Sequence, residues 1–132
     1  MPAPLVPELY VSDLRRSLRF YCDLLGFDVV YDRPEEKFAY LDRGGAQIMI
    51  EEPVGRVWLA GTLEHPFGRG VNLQIEVDDV ESLHNRCLDG QAQVFLPLEV
   101  KTYRRAEDQI VVRQFIVHDP DGYLLRFAQR IG

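Results

Sequence analysis

Val11-Ser12-Asp13-Leu14, running on to Gly26, is answered later by Val77-Asp78-Asp79-Val80, running on to Gly90. The offset, 77 − 11 = 66 residues, is half of the 132-residue chain. A repeat at half the chain length means one supersecondary unit used twice. Each copy reads as a strand end, a capping Asp or Ser, a helix and a glycine stop. In the first helix, about 13–25, Leu14, Leu18, Tyr21, Cys22 and Leu25 share one face. In the second, about 79–88, Val80, Leu83, Cys87 and Leu88 do the same.

Around these helices the pattern is that of strands. The first half gives strands at 5–11, 27–31, 38–42 and 46–52, with turns at 32–35 and 43–45. The second gives 71–77, 93–98, 110–117 and 123–129. Pro97 marks an edge or a bulge, 102–108 reads as a long polar turn, and Asp119-Pro120-Asp121-Gly122 as a tight one. The order is βαβββ-βαβββ. The expected fold class is α+β: two βαβββ modules whose four-stranded sheets curl side by side into an incomplete eight-stranded barrel, helices outside. The chain is expected to be one domain, 1–132, with module 1 at about 4–52, a connector at 53–70 and module 2 at about 71–130. Open sheet edges need cover, so a two-fold homodimer is expected.

Alternation assigns the faces. In Val71-Asn72-Leu73-Gln74-Ile75-Glu76-Val77 every odd residue is apolar and every even one polar. The odd side packs on the helix and the even side looks into a groove. The same rule sends Leu9, Val11, Ile48, Ile50, Leu125 and Phe127 to the core. It sends Val6, Glu8, Tyr10, Gln47, Met49, Glu51, Leu124, Arg126 and Ala128 to the groove. A groove with Glu8, Glu51 and Glu76 beside the amides Gln47, Asn72 and Gln74 suits amine or amidinium groups. Phe38, Tyr40, Trp58, Phe67 and Tyr103 can rim it and stack a flat ring. Phe38 and Tyr40 read equally well as core, Tyr103 as part of a solvated turn, and Arg126 as a bridge to a groove glutamate.

The bulk composition excludes several classes. Net charge is −6, from 15 Lys+Arg against 21 Asp+Glu, which argues against nucleic acid. Hydrophobic content is 46%, mean hydropathy −0.17, and no apolar run is long enough to span a membrane. The start, Met1-Pro2-Ala3-Pro4, has no leader pattern, so a cytoplasmic location is expected. Cys22 and Cys87 have no metal-ligand spacing and read as buried thiols; His65, His84 and His118 fall outside the groove positions of the end strands. There is no phosphate-binding glycine loop and no nucleophile elbow.

Val11-Ser12-Asp13-Leu14 with Ser17, Phe20 and Tyr21, Leu25-Gly26-Phe27, Val77-Asp78-Asp79-Val80 and Asp119-Pro120-Asp121-Gly122-Tyr123 together resemble the vicinal oxygen chelate superfamily of glyoxalases, extradiol dioxygenases and bleomycin resistance proteins. Its enzymes hold a divalent metal with His and Glu. Placed on this chain, those positions are Val6, Met49, Asn72 and Arg126. Two are apolar, one is an amide and one a cation, so the resemblance implies no metal and no cofactor here. Val6-Pro7-Glu8-Leu9 and Arg113-Gln114-Phe115 are similar to the metal-free bleomycin resistance branch, although Val111-Val112 stand where that branch often has Trp-Gly. In that branch Pro7 would hold an arm exchanged between subunits; it reads equally as an edge-strand proline. The implied function is metal-independent sequestration of a planar small molecule, cationic ones included, such as an antibiotic or metabolite. The ligand-binding set is Glu8, Phe38, Tyr40, Gln47, Met49, Glu51, Trp58, Asn72, Gln74, Glu76, Tyr103 and Arg126. The alternative is a lyase, isomerase or dioxygenase of the same superfamily with an atypical metal site.

Overall fold

Two aspartates start the two helices. In the computed structural model, which describes residues 2–132, Asp13 Oδ1 accepts from the Arg16 N–H at 3.2 Å and Asp79 Oδ1 from the Ser82 N–H at 3.1 Å. Each carboxylate satisfies a donor that the first helical turn leaves open. The chain divides into two compact units, Met1–Phe67 and Gly68–Gly132.

The first unit contains β1 (Glu8–Tyr10), α1 (Leu14–Leu18), β2 (Asp28–Arg33), β3 (Phe38–Arg43) and β4 (Ala46–Glu51). Its sheet runs β1-β4-β3-β2, with β1 parallel to β4 and the other pairs antiparallel. The helix connection makes the parallel pair possible. Beyond Leu18 the helix widens into a π-helix at Arg19–Leu24, and the Leu25 N–H reaches back five residues to Phe20 O at 3.0 Å. The fully buried seam is therefore Ser17, Tyr21 and Leu25, at four-residue spacing, while Leu14, Leu18 and Cys22 of the expected face are half-buried. Gly26 ends the helix at φ +86°, a backbone position that suits glycine. The core under the helix is Val11, Tyr21, Leu25, Phe27, Leu41, Ile48 and Ile50, with the Tyr21 and Phe27 rings edge-on at 5.7 Å.

The second unit repeats the plan with β5 (Asn72–Glu76), α2 (Val80–Asp89), β6 (Val94–Arg105), β7 (Asp108–His118) and β8 (Leu124–Arg130), ordered β5-β8-β7-β6. Val80, Leu83 and Cys87 are buried as expected, but Leu88 is exposed. Burial pushes the Cys87 thiol up to about 11, which makes it unreactive at neutral pH. The expected polar turn at 102–108 is instead mostly strand. Lys101, Thr102 and Tyr103 pair with Val112, Val111 and Ile110, and Arg105 pairs with Asp108. A two-residue reversal at Ala106-Glu107, with Ala106 at φ +53°, replaces it. Polar side chains there reflect two solvent-facing strands, not a loop. Pro97 sits on the outer strand within the register shift between Leu96 and Glu99, a position an imino acid tolerates.

The turn before β8 is held by the buried carboxylate of Asp119. Its Oδ1 accepts the N–H groups of Asp121 and Tyr123, each at 2.9 Å, and Gly122 takes φ +99°. Asp119→Ala strands both donors, so a loss of about 1–3 kcal/mol is expected in denaturant unfolding. An unchanged midpoint would show that the turn does not depend on this carboxylate.

Candidate functional site

Side chains opposite one another in register share a face of their sheet. In the first unit Leu9, Ile50 and Ala39 form one row on the helix side. The other side carries Glu8, Met49, Tyr40 and Tyr31 in one row, Tyr10, Glu51, Phe38 and Arg33 in the next, and Gln47 with Asp42 at the end. Six of the twelve expected site residues, Glu8, Phe38, Tyr40, Gln47, Met49 and Glu51, thus lie on one surface. Tyr31 and Arg33 join them. Neither was among the expected site residues: Arg33 was expected in the 32–35 turn, and pairing across a register shift between Val29 and Tyr31 is what sets both on this face.

The aromatic residues of this face are layered. Tyr31 stacks on Tyr40 with ring centroids 5.1 Å apart, and the Arg33 guanidinium lies 3.9 Å from the Phe38 centroid. Phe38 is 1% exposed and Tyr40 7%, whereas Tyr31 is 47% exposed, so Tyr31 presents the open ring. Arg33 also pairs with Glu36 at 3.2 Å. Burial, with the charges of Glu8 and Glu36 added, raises the Glu51 carboxyl above its ordinary value, and Arg33 partly opposes that.

Gln47 serves the framework. Its Oε1 accepts from the Tyr40 hydroxyl and the Ala3 N–H, each at 2.7 Å, and its Nε2 donates to Asp42 Oδ2 at 2.8 Å. That amide and the Gly45 N–H hold Asp42 below the usual carboxylate range. Trp58, in the segment after β4, is 67% exposed, with the Arg56 guanidinium 5.0 Å from its ring centroid. Its backbone N–H donates to the Tyr10 hydroxyl at 2.8 Å, which ties the segment to β1. A separate cavity of about 510 Å³, bounded by Asp13, Arg15, Arg19, Lys37, Phe38 and Glu52, takes in Phe38 alone of the expected residues.

In the second unit the face away from α2 carries Asn72 with Leu124 and His118, then Gln74 with Arg126 and Ile116, then Glu76 with Ala128, Gln114 and Glu99. Asn72, Gln74 and Glu76 are exposed and Arg126 is half-buried. Tyr103, expected in a loop, stands on β6, and Gln114 Nε2 donates to its hydroxyl and to Glu99 Oε2, both at 2.8 Å. Gln114 is buried and was not among the expected residues. Its signal was the alternation of β7, where Gln114 shares a face with the apolar Val112 and Ile116. His118 lies on this face too, with Nδ1 3.3 Å from Gly122 O, whereas His84 Nε2 accepts from the Leu98 N–H at 3.4 Å.

The metal positions implied by the resemblance do not fit a metal. Met49 offers a soft thioether, Asn72 a neutral amide and Arg126 a cation. Among the described residues no three His, Cys, Asp or Glu side chains gather as an ion-binding group. No described helix is long and apolar enough to cross a membrane.

Tyr10→Phe removes the acceptor that holds the Trp58 backbone. Lower Trp58 fluorescence anisotropy and a loss of about 1 kcal/mol in stability are expected. Unchanged anisotropy would mean that the segment is held by other contacts.

Comparison with known proteins agrees with this architecture. The bleomycin resistance proteins of Geobacillus stearothermophilus and Staphylococcus aureus are each 30% identical over 136 residues, covering 96% of this chain and 96% of theirs. Glyoxalase domain-containing protein 4 of Rattus norvegicus is 31% identical over 124 residues, covering 91% of this chain and 38% of that protein. In structure, TioX from Micromonospora sp. ML1 superposes with a TM-score of 0.77 at 24% identity, covering 98% and 99% of the two chains, which speaks to the fold. Residues 5–127 match the family model, and the chain belongs to the Glyoxalase/Bleomycin resistance protein/Dioxygenase superfamily.

Proposed function

We propose that this protein binds a planar small molecule, an antibiotic or metabolite, without a metal and without transforming it. One observation carries the reading: on the first unit's sheet a planar cation, Arg33, already lies on an aromatic ring, 3.9 Å from the Phe38 centroid, near the partly desolvated Glu51. A ligand with a cationic ring would use the same attractions at Tyr31 and Glu51, cation–π contact and a carboxylate of reduced hydration. The relatives named bleomycin resistance proteins support the same reading, as does the lack of metal-ligand side chains at Met49, Asn72 and Arg126.

The test is titration with bleomycin and with ethidium, a planar cation, in the presence of EDTA, followed by calorimetry and Trp58 emission. Saturable binding and recovery of unaltered compound are expected. Glu51→Gln should weaken ethidium binding about tenfold, the scale of one charge-assisted contact. The pH dependence has a defined sign. Ethidium stays charged, and Glu51 attracts it only when ionised. Affinity is therefore full at pH 8 and falls on acidification, starting above the ordinary glutamate value of about 4.3 because the Glu51 carboxyl is raised. No saturation below about 1 mM, a binding energy near −4 kcal/mol, would overturn the reading. So would conversion of a ligand that depends on a bound divalent ion.

The same reading takes the protein as a homodimer. β2 is the outer strand of its sheet and exposes Val29, Val30 and Tyr31, an unpaired edge of high strand propensity. Antiparallel pairing of two β2 strands about Val30 and Tyr31 sets Asp28 opposite Arg33 at both ends. Sedimentation should give a dimer, and Val30→Lys a monomer; a monomeric parent protein would contradict it.

A further inference from the structure

Arg126 stands at the middle of β8, between Gln74 of β5 and Ile116 of β7. Its Nε is buried and has no hydrogen-bond partner among the described residues. Its same-face neighbours along β8 are Leu124 and Ala128, both without charge. Arg105 pairs with Asp108 and Arg113 with Glu81, and among the described residues Arg126 pairs with no acid. Glu99 already receives the Gln114 amide, and Glu76 is exposed one row away. A guanidinium N–H withdrawn from water with no acceptor is costly to the folded state, and buried donors are ordinarily satisfied.

The missing partner has a definable chemistry. A guanidinium presents parallel donors that match the two oxygens of a carboxylate or the edge of a phosphate. Gln74 is opposite Arg126 in register and Asn72 is one row along, so two exposed amides flank the position with further donors. Resting on the reading that the protein binds small molecules, we propose that Arg126 anchors an oxyanion subsite on the sheet of the second unit. The ligand carries a carboxylate or phosphate that takes the Arg126 donors, with Asn72 and Gln74 beside it. The face of the second unit thus calls for an anionic group.

Two fluorescent probes with the same aromatic body separate charge from ring binding: 1-anilinonaphthalene-8-sulfonate and neutral N-phenyl-1-naphthylamine. The wild-type protein should bind the sulfonate about tenfold more tightly than the neutral probe. Arg126→Gln should abolish that advantage while leaving the neutral probe within about twofold, and Arg126→Lys should keep part of it because charge persists without the fork. Benzoate and phenyl phosphate as competitors then distinguish carboxylate from phosphate as the preferred group. Arg126→Met, which removes the orphaned donor, should melt no lower than the wild type and serves as the folded control. Equal affinity for both probes, or a sulfonate advantage that survives Arg126→Gln, would overturn the oxyanion subsite while leaving small-molecule binding intact. Failure of both probes to bind would overturn the subsite and count against small-molecule binding as well.

Discussion

The register between each parallel outer strand and its neighbour decides which side chains meet anything. Glu8 lies opposite Met49 and Gln74 opposite Arg126. A slip of one residue would move every one of them under a helix and expose the core. Backbone bonds at the strand ends fix the alignment. The Met49 N–H donates to Pro7 O, the Val11 N–H to Glu51 O and the Val77 N–H to Ala128 O, each at 2.9 Å. The helices fix it independently, because Tyr21 and Leu25 in one unit and Leu83 and Cys87 in the other need apolar partners beneath them. Burying those seams gives the sheet a single energetically acceptable side for its polar residues.

That sidedness carries chemistry because the polar residues differ between the two units. The first unit presents aromatic rings with carboxylates, the second an arginine among amides. Among the described residues neither arrangement gathers three His, Cys, Asp or Glu side chains, and on the proposed reading these positions serve recognition by charge and stacking. The fold supports either use. The side chains at a few inward positions select between them.

Much of this was legible in the sequence because it rests on period-two alternation and on the repeat. Ile75 and Val77 against Gln74 and Glu76 reveal the two faces of β5 by their alternation alone. The rest depends on pairing across strands, which a linear pattern does not carry. The π-helix at Arg19–Leu24 has no residue signature, yet it moves the buried seam onto Ser17. The length of β6 was hidden because Lys101 to Arg105 are polar on both faces. Tyr31 and Arg33 reach the site only through the irregularity in β2, and the burial of Phe38 follows from Arg33 lying over it. Gln114 gains importance only once Glu99 and Tyr103 are brought to it by β6.

The central claim is that in each unit the polar sheet face, and not the helix or a metal centre, carries that unit's ligand contacts. Amide chemical-shift mapping by ¹⁵N-edited NMR, with bleomycin added to metal-stripped protein, tests this most directly. Shifts concentrated at Glu8, Tyr31, Met49, Glu51, Asn72, Gln74 and Arg126, unaffected by chelator, are the expected result. Shifts confined to the outer residues of α1 and α2, or shifts that appear only after a divalent ion is supplied, would contradict it.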